Sequence, residues 1–442
     1  MDCDRRSIAG LHTLWSNEAL MRIPISLLVL SVLISSPGRS ALVAQVPPAQ
    51  AQDAANNIPS VRWNRLVPGF IDQNAAARRA ARRVAAAAGD SATLRRIAMN
   101  QPPIQFRVYT LLSVAQYAAA NSARNNPGVS ADVAVAAASA AVLTQLYTDS
   151  AVRASIAAEL TRDVQRASTG SRGAELAMAG RRLGEDAAAR VIAWAPPLPT
   201  MFAPWSGTIP AGPGRWYSAK GVPPIGILAA HARPWLLDSA SQLRPPPPPA
   251  YGSPTFQAAL EEVRRVARER TPEQTKIAQQ WNSGDPWARW NDEAAAAIGR
   301  HHLSDADAAR VFALLNLGAS DAIIACFDAK YYYWSIRPSQ ADTTLVLADS
   351  VDLPNFPSYP SGHACSAGAF DAVLGHFFPQ ERATFTRIAE EQAMSRLYGG
   401  IHYRFDNDGG LALGRKVALY DVDRERRGAL NAWRDMPADG KR

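Results

Sequence analysis

The feature of this chain that most restricts its fold is a long alanine-rich region, residues 74–195, in which apolar residues recur at helical spacing. Alanine has the highest intrinsic helix propensity, and its small side chain lets neighbouring helices pack closely. Short breaks at Gln101–Pro103, Asn125–Gly128 and Thr169–Gly170 divide the region into successive helices. Runs of alternating polar and apolar residues that would indicate a substantial sheet do not occur, so the sequence predicts an all-α protein built from helical bundles.

Composition narrows the class of protein further. The chain has 442 residues, of which 47% are hydrophobic, and this is enough for a large core. The formal net charge of +8 comes mostly from arginines scattered along predicted helices, where charged side chains are usually solvated. Because no RNA- or DNA-binding motif accompanies this charge, we expect no nucleic-acid partner.

The N-terminus has the organisation of a secretory signal peptide, which we assign to residues 1–44. Met21 begins a short basic start, Ile23–Ile34 is mainly apolar, and Ala41–Ala44 offers small residues for cleavage. Residues 1–20 are largely polar, so we predict that translation starts at Met21. The apolar run is shorter than the roughly 20 residues that a membrane anchor needs. We therefore expect a periplasmic or secreted protein without an integral membrane span.

The rest of the chain divides into three predicted segments. Residues 45–195 form an N-terminal helical region, residues 196–252 a Pro-rich connection, and residues 253–442 a catalytic helical domain. Five consecutive prolines at 245–249 predict a stiff polyproline II spacer within the connection. Of the three cysteines, Cys326 and Cys365 follow the leader, and we favour two small buried thiols over a disulfide.

Capping residues predict where the helices of the last segment begin. Ser253, Thr271 and Ser304 each precede a residue pattern typical of a helix start. The helix from Ser304 is expected to continue to about Ser335, and the last helix to cover about Gly409–Asp421. These helices carry the three motifs that contain the chemistry.

The first motif is Lys-x6-Arg-Pro. Lys330 and Arg337 are seven residues apart, which is two turns of one helix, so both side chains are predicted to point the same way. Pro338 ends the helix and leaves Arg337 free to reach forward. Taken alone, this pattern is typical of a solvated basic helix face.

The second motif is Pro360-Ser-Gly-His363. Ser361 is a good N-cap, Gly362 leaves the backbone open, and His363 falls in the first helical turn. A helix N-terminus presents unpaired N–H groups and the positive end of the helix dipole, so it favours an oxyanion. An ordinary capped helix with a surface histidine is the alternative for this motif alone.

The third motif contains Arg396 and His402, six residues apart, and Asp406 follows four residues later. A carboxylate beside a histidine fixes its tautomer and raises its basicity. A structural Arg-His-Asp cluster is the alternative here.

In this order the three motifs resemble the signature of the type 2 phosphatidic acid phosphatase superfamily. That superfamily includes class A bacterial acid phosphatases, membrane lipid phosphatases and vanadium-dependent haloperoxidases. Every motif position is filled, and the specific resemblance covers residues 330–406. A looser likeness to bacterial haloperoxidase-like proteins extends back to Arg270. The resemblance implies an oxyanion site in the core of the C-terminal helical bundle.

The resemblance also implies roles for single residues. His402 is expected to attack phosphorus or to coordinate vanadium as the metal ligand, with Asp406 beside it as part of the catalytic set. His363 is expected to act as the acid/base, for which a pKa near neutrality suits histidine. The expected binding residues for vanadate, or for phosphate in the same site, are Lys330, Arg337, Ser361, Gly362, Arg396 and His402.

Flanking residues favour the haloperoxidase branch. Residues 356–363 look like its Phe-Pro-x-Tyr-Pro-Ser-Gly-His run, and residues 402–406 are similar to its His-Trp-Arg-Phe-Asp segment. In that branch the position matching Phe356 helps to set halide preference. An aromatic run, Tyr331–Trp334, either lines the pocket or packs the helix.

Three functional hypotheses follow. The first is a vanadium-dependent haloperoxidase-like enzyme that oxidises halide with hydrogen peroxide. The second is an exported acid phosphatase that hydrolyses a phosphate ester through a phospho-histidine, and the third is a non-catalytic binding protein. A metal hydrolase using His301, His302 and Asp305 is weaker because no ligand pattern completes the site. A serine hydrolase lacks its Gly-x-Ser-x-Gly turn.

Overall fold

The structure is a computed structural model that describes residues 56–93, 105–197, 205–218, 222–283 and 285–437. The predicted leader, residues 1–44, lies outside the described residues, as does Cys3. The signal peptide, the start at Met21 and export therefore stay predictions. The divisions into segments 45–195, 196–252 and 253–442 also stay predictions.

The described residues form helices joined by loops, so the all-α prediction is confirmed. Within them, backbone pairing of the sheet type is limited to one isolated bridge between Arg215 and Ser335. The α-helices, in chain order, are α1 (Pro59–Ala87), α2 (Gln105–Ala123), α3 (Ala131–Leu146), α4 (Ser150–Ala167), α5 (Gly173–Trp194), α6 (Pro254–Glu269), α7 (Pro272–Ser283), α8 (Pro286–Arg300), α9 (Asp305–Tyr333), α10 (Pro338–Ala341), α11 (Gly362–Phe377), α12 (Arg382–Tyr398) and α13 (Arg404–Arg426). Short 3-10 helices lie at Ile227–His231, Pro379–Glu381 and Ala429–Asp435.

Helix α9 is a long and largely buried element of the core. It packs against α2 from the alanine-rich region and against α11 and α13 from the motif-bearing part of the chain. Its length and composition would allow it to cross a membrane, but 94% of its apolar window is buried inside the protein. A core helix of a globular protein meets the same criteria, so the expected absence of a membrane span stays a prediction.

The predicted helix starts are confirmed at the level of single hydrogen bonds. The hydroxyls of Ser253 and Ser304 each accept from a backbone N–H three residues further along the chain. Thr271 and Gln274 form a reciprocal capping box, in which each side chain bonds to the other residue's backbone N–H.

The helix that carries Lys330 ends earlier than expected, at Tyr333. Trp334 adopts a left-handed conformation with φ 51°, its N–H closes the last turn on the Lys330 carbonyl, and its ring packs against Trp216. Arg337 is therefore extended and precedes α10. The prediction that Lys330 and Arg337 share one helix face is wrong, because burial of the Trp334 ring turns the chain out of the helix.

The last helix is longer than expected, since α13 runs from Arg404 to Arg426 rather than over Gly409–Asp421. Its glycines lie inside the helix because α11 and α13 approach very closely. A Cβ at Gly414 would lie 2.0 Å from the Cys365 carbonyl oxygen on α11. This close packing fixes the N-terminus of α11 against the N-terminus of α13.

The five prolines at 245–249 are packed against the end of α9. The hydroxyl of Tyr333 donates to the Pro245 carbonyl at 2.6 Å, and that of Tyr359 donates to the Pro246 carbonyl at 2.9 Å. Arg244 lies 3.8 Å over the ring of Tyr332. The Tyr residues at the end of α9 thus hold the Pro-rich connection in place.

Candidate active site

The structure brings the three predicted motifs together. Lys330 lies in the last turn of α9, Arg337 in the following loop, and Arg396 in the last turn of α12. His402 lies in the loop before α13, and Ser361 occupies the N-cap position of α11, where its side chain makes no capping hydrogen bond. All five of these side chains are buried.

Lys330 organises the loop that leads into the second motif. Its ammonium group is 0% exposed and donates to the carbonyl oxygens of Pro357 at 2.9 Å, Ser358 at 2.7 Å and Pro360. These three bonds use all the donors of an ammonium group. Burial, to which the Arg337 charge adds, lowers the pKa of Lys330 to about 8. Lys330 therefore contributes a positive charge at close range while its N–H groups hold the loop.

Arg337 has a terminal nitrogen that makes no hydrogen bond to the described residues. Its Nε donates to the Phe356 carbonyl at 3.0 Å and its Nη1 to the Ile401 carbonyl at 2.8 Å, and Nη1 lies 3.1 Å from Nε2 of His402. Its Nη2 is buried and has no hydrogen-bond partner among the described residues. Burial lowers the pKa of Arg337 to about 10, so the guanidinium stays charged at neutral pH.

His402 is held from one side by a carboxylate. Its Nδ1 lies 2.8 Å from Oδ2 of Asp406, which also accepts from the Tyr403 backbone N–H at 3.1 Å. We assign the proton to Nδ1 because the carboxylate can only accept there. Burial, followed by the charges of Arg337 and Lys330, lowers the pKa of His402 well below its ordinary value. The neutral ring thus presents the Nε2 lone pair towards Arg337.

Arg396 is anchored by α7, which lies far away in sequence. Its Nη2 donates to the Ala278 carbonyl at 3.0 Å and its Nη1 to Oδ1 of Asn282 at 3.3 Å. The Nδ2 of Asn282 in turn donates to the Ser350 carbonyl at 2.8 Å. Helix α7 therefore fixes the third cation of the site.

His363 is half-buried in the first turn of α11, and α7 also fixes its ring. Its Nε2 lies 3.1 Å from the Trp281 carbonyl oxygen, which can only accept. Burial, followed by the charge of Arg396, lowers the pKa of His363 to about 3. The ring is therefore neutral in the free protein, with its Nδ1 lone pair available.

The remaining predicted binding groups are Ser361, whose hydroxyl lacks a partner in the part of the chain that the structure describes, and Gly362, which has open space beside it. The hydroxyl of Ser361 is buried without a hydrogen-bond partner among the described residues. A Cβ placed on Gly362 would meet nothing within 4 Å. We call the two buried donors without a partner in the described part of the chain, Nη2 of Arg337 and the Ser361 hydroxyl, together with the open backbone at Gly362, the oxyanion cradle. Such a set fits a phosphate-like oxyanion, including vanadate.

Phe356 forms an apolar wall at the cradle. Its half-buried ring centroid lies 4.9 Å from Nζ of Lys330 and 5.0 Å from the guanidinium carbon of Arg337. Both cations thus contact the face of one aromatic ring.

Sequence reasoning gave no role to Ser358, Asn282 or the α7 carbonyls. Ser358 lies inside a run that the sequence singled out, so its position next to the second motif is the signal that could have found it. The α7 contacts carry no such signal, because the bonds to Arg396 span 114 and 118 residues.

The alternative metal site considered at His301, His302 and Asp305 is not formed. The described part of the chain holds no group of three His, Cys, Asp or Glu side chains able to bind a metal ion. His301 instead contacts Glu381 at 2.8 Å. Cys326 and Cys365 are buried free thiols, as expected.

Comparison with known proteins relates this site to a family. Residues 309–422 match the sequence profile of the PAP2 superfamily, and this segment contains all three motifs. The lipid A 1-phosphatases of Rhizobium johnstonii (strain DSM 114642 / LMG 32736 / 3841) and Rhizobium etli (strain ATCC 51251 / DSM 11541 / JCM 21823 / NBRC 15573 / CFN 42) are each 42% identical over 64 residues, or 14% of this chain. The match spans only 26% and 28% of the length of these relatives.

Solved structures share the fold over a larger part of the chain. A bacterial vanadium-dependent iodoperoxidase superposes with a TM-score of 0.62 at 24% identity, over 73% of this chain and 91% of that chain. An apo bacterial vanadium-dependent chloroperoxidase superposes with a TM-score of 0.57 at 12% identity, over 74% and 96%. At these identities the similarity establishes a common fold.

Proposed function

We propose that this chain, which belongs to the PAP2 superfamily through residues 309–422, is a vanadium-dependent haloperoxidase-like enzyme that oxidises halide with hydrogen peroxide. Superfamily and fold support an enzyme of either the phosphatase or the haloperoxidase kind. The choice between these two chemistries is our proposal.

The observation that carries the proposal is the Phe356 wall. A halide is a large anion with a diffuse charge, so it gains from nearby cations and loses little on contact with an aromatic ring. Phe356 combines both environments, because its ring contacts Lys330 and Arg337 beside the cradle. The Phe-Pro-x-Tyr run around Phe356, which resembles the haloperoxidase branch, agrees with this role.

The cradle fits vanadate by the chemistry of its donors. Arg337 Nη2 and the Ser361 hydroxyl would hold oxygens of the bound oxyanion, and His402 Nε2 would ligate the vanadium. Bound vanadate would supply a Lewis-acid centre that activates hydrogen peroxide without changing its own oxidation state. The protein's part is to neutralise the oxyanion charge, to exclude water from buried cations, and to move protons.

The proton-transfer role belongs to His363. Its Nδ1 lone pair is available because Nε2 donates to the Trp281 carbonyl. A bound oxyanion opposes the cationic field of Arg396 and so favours uptake of a proton at Nδ1. His363 would accept a proton from hydrogen peroxide and later return it.

The test is bromination and iodination of a phenolic dye by purified protein with hydrogen peroxide, at increasing vanadate. We expect activity that rises with vanadate and saturates, and metal analysis of the active sample should give about one vanadium per chain. His402→Ala should abolish the activity, and Gln279→Ala is the matched control, a half-buried position on α7 whose side chain bonds to the Asp349 carbonyl. Absence of halide oxidation at every vanadate level refutes this proposal.

A phosphatase using the same site is the second candidate. The local 42% identity to two lipid A 1-phosphatases favours it. In this reaction His402 Nε2 attacks phosphorus, the bond from phosphorus to the leaving oxygen breaks, and His363 gives that oxygen a proton. Water then attacks the phospho-histidine, His363 takes the proton from water, and phosphate leaves.

Hydrolysis of a chromogenic phosphate ester tests the second candidate. Competitive inhibition by vanadate and loss of hydrolysis in His402→Ala would assign phosphatase activity to this site. If the protein shows neither halide oxidation nor phosphate-ester hydrolysis but binds phosphate in calorimetry, the binding-protein hypothesis is supported instead.

We also propose export, on the basis of the predicted leader at residues 1–44. Expression of the full chain in a bacterium, followed by fractionation and N-terminal sequencing, tests this. A mature protein in the periplasm or medium that begins close to Gln45 is expected, whereas an uncut cytoplasmic chain would refute it.

A further inference from the structure

Ser358 is fixed by its backbone at the centre of the site. Its N–H donates to the Ser335 carbonyl at 2.9 Å, and its carbonyl accepts from Lys330 at 2.7 Å. The side chain is 0% exposed. The hydroxyl therefore has no access to solvent and must find its partners inside the site.

Those partners are the carboxylate and the imidazole of the third motif. The hydroxyl of Ser358 donates to Oδ2 of Asp406 and lies 3.4 Å from Nδ1 of His402. Oδ2 thus receives three donors, while Oδ1 of Asp406 is buried without a hydrogen-bond partner among the described residues. All of the anchoring of the carboxylate converges on one oxygen.

This arrangement restricts the tautomer of His402. A serine hydroxyl carries one proton, and here Asp406 receives it, so Ser358 cannot also donate to Nδ1. Nδ1 carries the proton because Oδ2 of Asp406, 2.8 Å away, can only accept, and the Nε2 lone pair points to the cradle. Without the Ser358 hydroxyl, the carboxylate loses one of its three anchors and can rotate to use Oδ1.

We infer that Ser358 is a positioning residue that locks the Asp406 carboxylate and thereby holds His402 in the tautomer whose Nε2 faces the oxyanion. This rests on the proposed function, in which Nε2 is the reacting or ligating atom. Ser358 lies outside the three motifs and would act on a bound oxyanion through Asp406 and His402.

The experiment compares Ser358→Ala with Ser139→Ala, a control that removes an equally buried, hydrogen-bonded serine hydroxyl on α3. The ring nitrogens of His402 are observed by NMR in histidine-labelled protein, and their signals are assigned by their loss in His402→Gln. Phosphate affinity, turnover and thermal unfolding are measured on the same samples.

We expect Ser358→Ala to fold, to bind phosphate within about twofold of the parent, and to lose about tenfold or more in turnover, the size of one hydrogen bond to a charged group. Its His402 signals should move from the Nδ1-protonated form towards a mixture of tautomers. Ser139→Ala should keep the parent values.

Two results would overturn the inference. Native turnover with an unchanged tautomer would mean that Ser358 has no influence on His402. Reduced turnover with a fully Nδ1-protonated ring would mean that Ser358 acts only through packing. Failure of the proposed function is recognised separately, because the tautomer change is measured without any catalytic assay.

Discussion

The charge of Lys330 makes oxyanion binding depend on pH. Its pKa in the free protein is lowered to about 8, mainly by burial, so the ammonium group loses its proton under mildly alkaline conditions. An oxyanion held nearby favours the charged form and raises this pKa. Phosphate binding therefore takes up a proton above pH 8, and phosphate affinity must fall as pH rises through this range.

The size of the effect follows from the lowered pKa. At pH 7.5 about three in four Lys330 side chains are charged in the free protein, and at pH 9.5 about one in thirty. If the complex keeps Lys330 charged throughout, the Kd for phosphate rises by about 25-fold between these two values. Inorganic phosphate is a suitable ligand because it is mainly a dianion over this range.

The assay is titration calorimetry with phosphate at pH 7.5, 8.5 and 9.5 and constant ionic strength. Lys330→Met should bind more weakly at pH 7.5 and should show a Kd that is nearly independent of pH. Thermal unfolding of the variant is needed beside it, because three buried carbonyl groups lose their donor. A parent Kd that changes by less than about twofold from pH 7.5 to 9.5 would refute the reasoning.

Three further predictions concern the surroundings of the cradle. Asp406→Asn keeps an acceptor for the imidazole of His402 but removes the negative charge. Turnover should therefore fall about tenfold or more while phosphate affinity stays unchanged. Equal losses in turnover and in phosphate affinity would contradict this prediction. Asn282→Ala removes one acceptor from Arg396, so the phosphate Kd by calorimetry should rise about threefold to tenfold, whereas Gln279→Ala on the same helix should leave it unchanged. Gly414→Ala places a Cβ 2.0 Å from a carbonyl oxygen of α11, and urea unfolding should show a loss of about 1–3 kcal/mol or more; an unchanged midpoint would mean that the helices can separate at no cost.

Local signals predicted the fold class and the helix starts well, because a cap or an alanine-rich face is encoded within a few residues. Thr271 and Gln274 formed the expected capping box for this reason. Local signals failed where packing against residues that are distant in sequence determines the backbone conformation. Trp334 ends α9 because its ring packs against Trp216 and Trp205, and neither partner is visible from the sequence around Lys330.

The candidate site shows the same contrast between residues that the sequence identifies and contacts that it does not. The motif residues were identified from their resemblance to a family signature, and their side chains do converge, since Arg337 contacts His402 and Lys330 holds the loop before Ser361. The supporting atoms were not found, because a backbone carbonyl such as that of Ala278 has no residue type to identify it. Its bond to Arg396 becomes visible only in three dimensions.

The bonds from α7 to Arg396 and His363 also bear on how the protein folds. They close loops of 82 to 118 residues, and contacts of high sequence separation tend to form late because loop closure costs entropy. The cradle is thus expected to become able to bind ligand only near the end of folding. Phosphate added during refolding would then bind the native chain alone and raise the yield by mass action, without speeding the earlier steps.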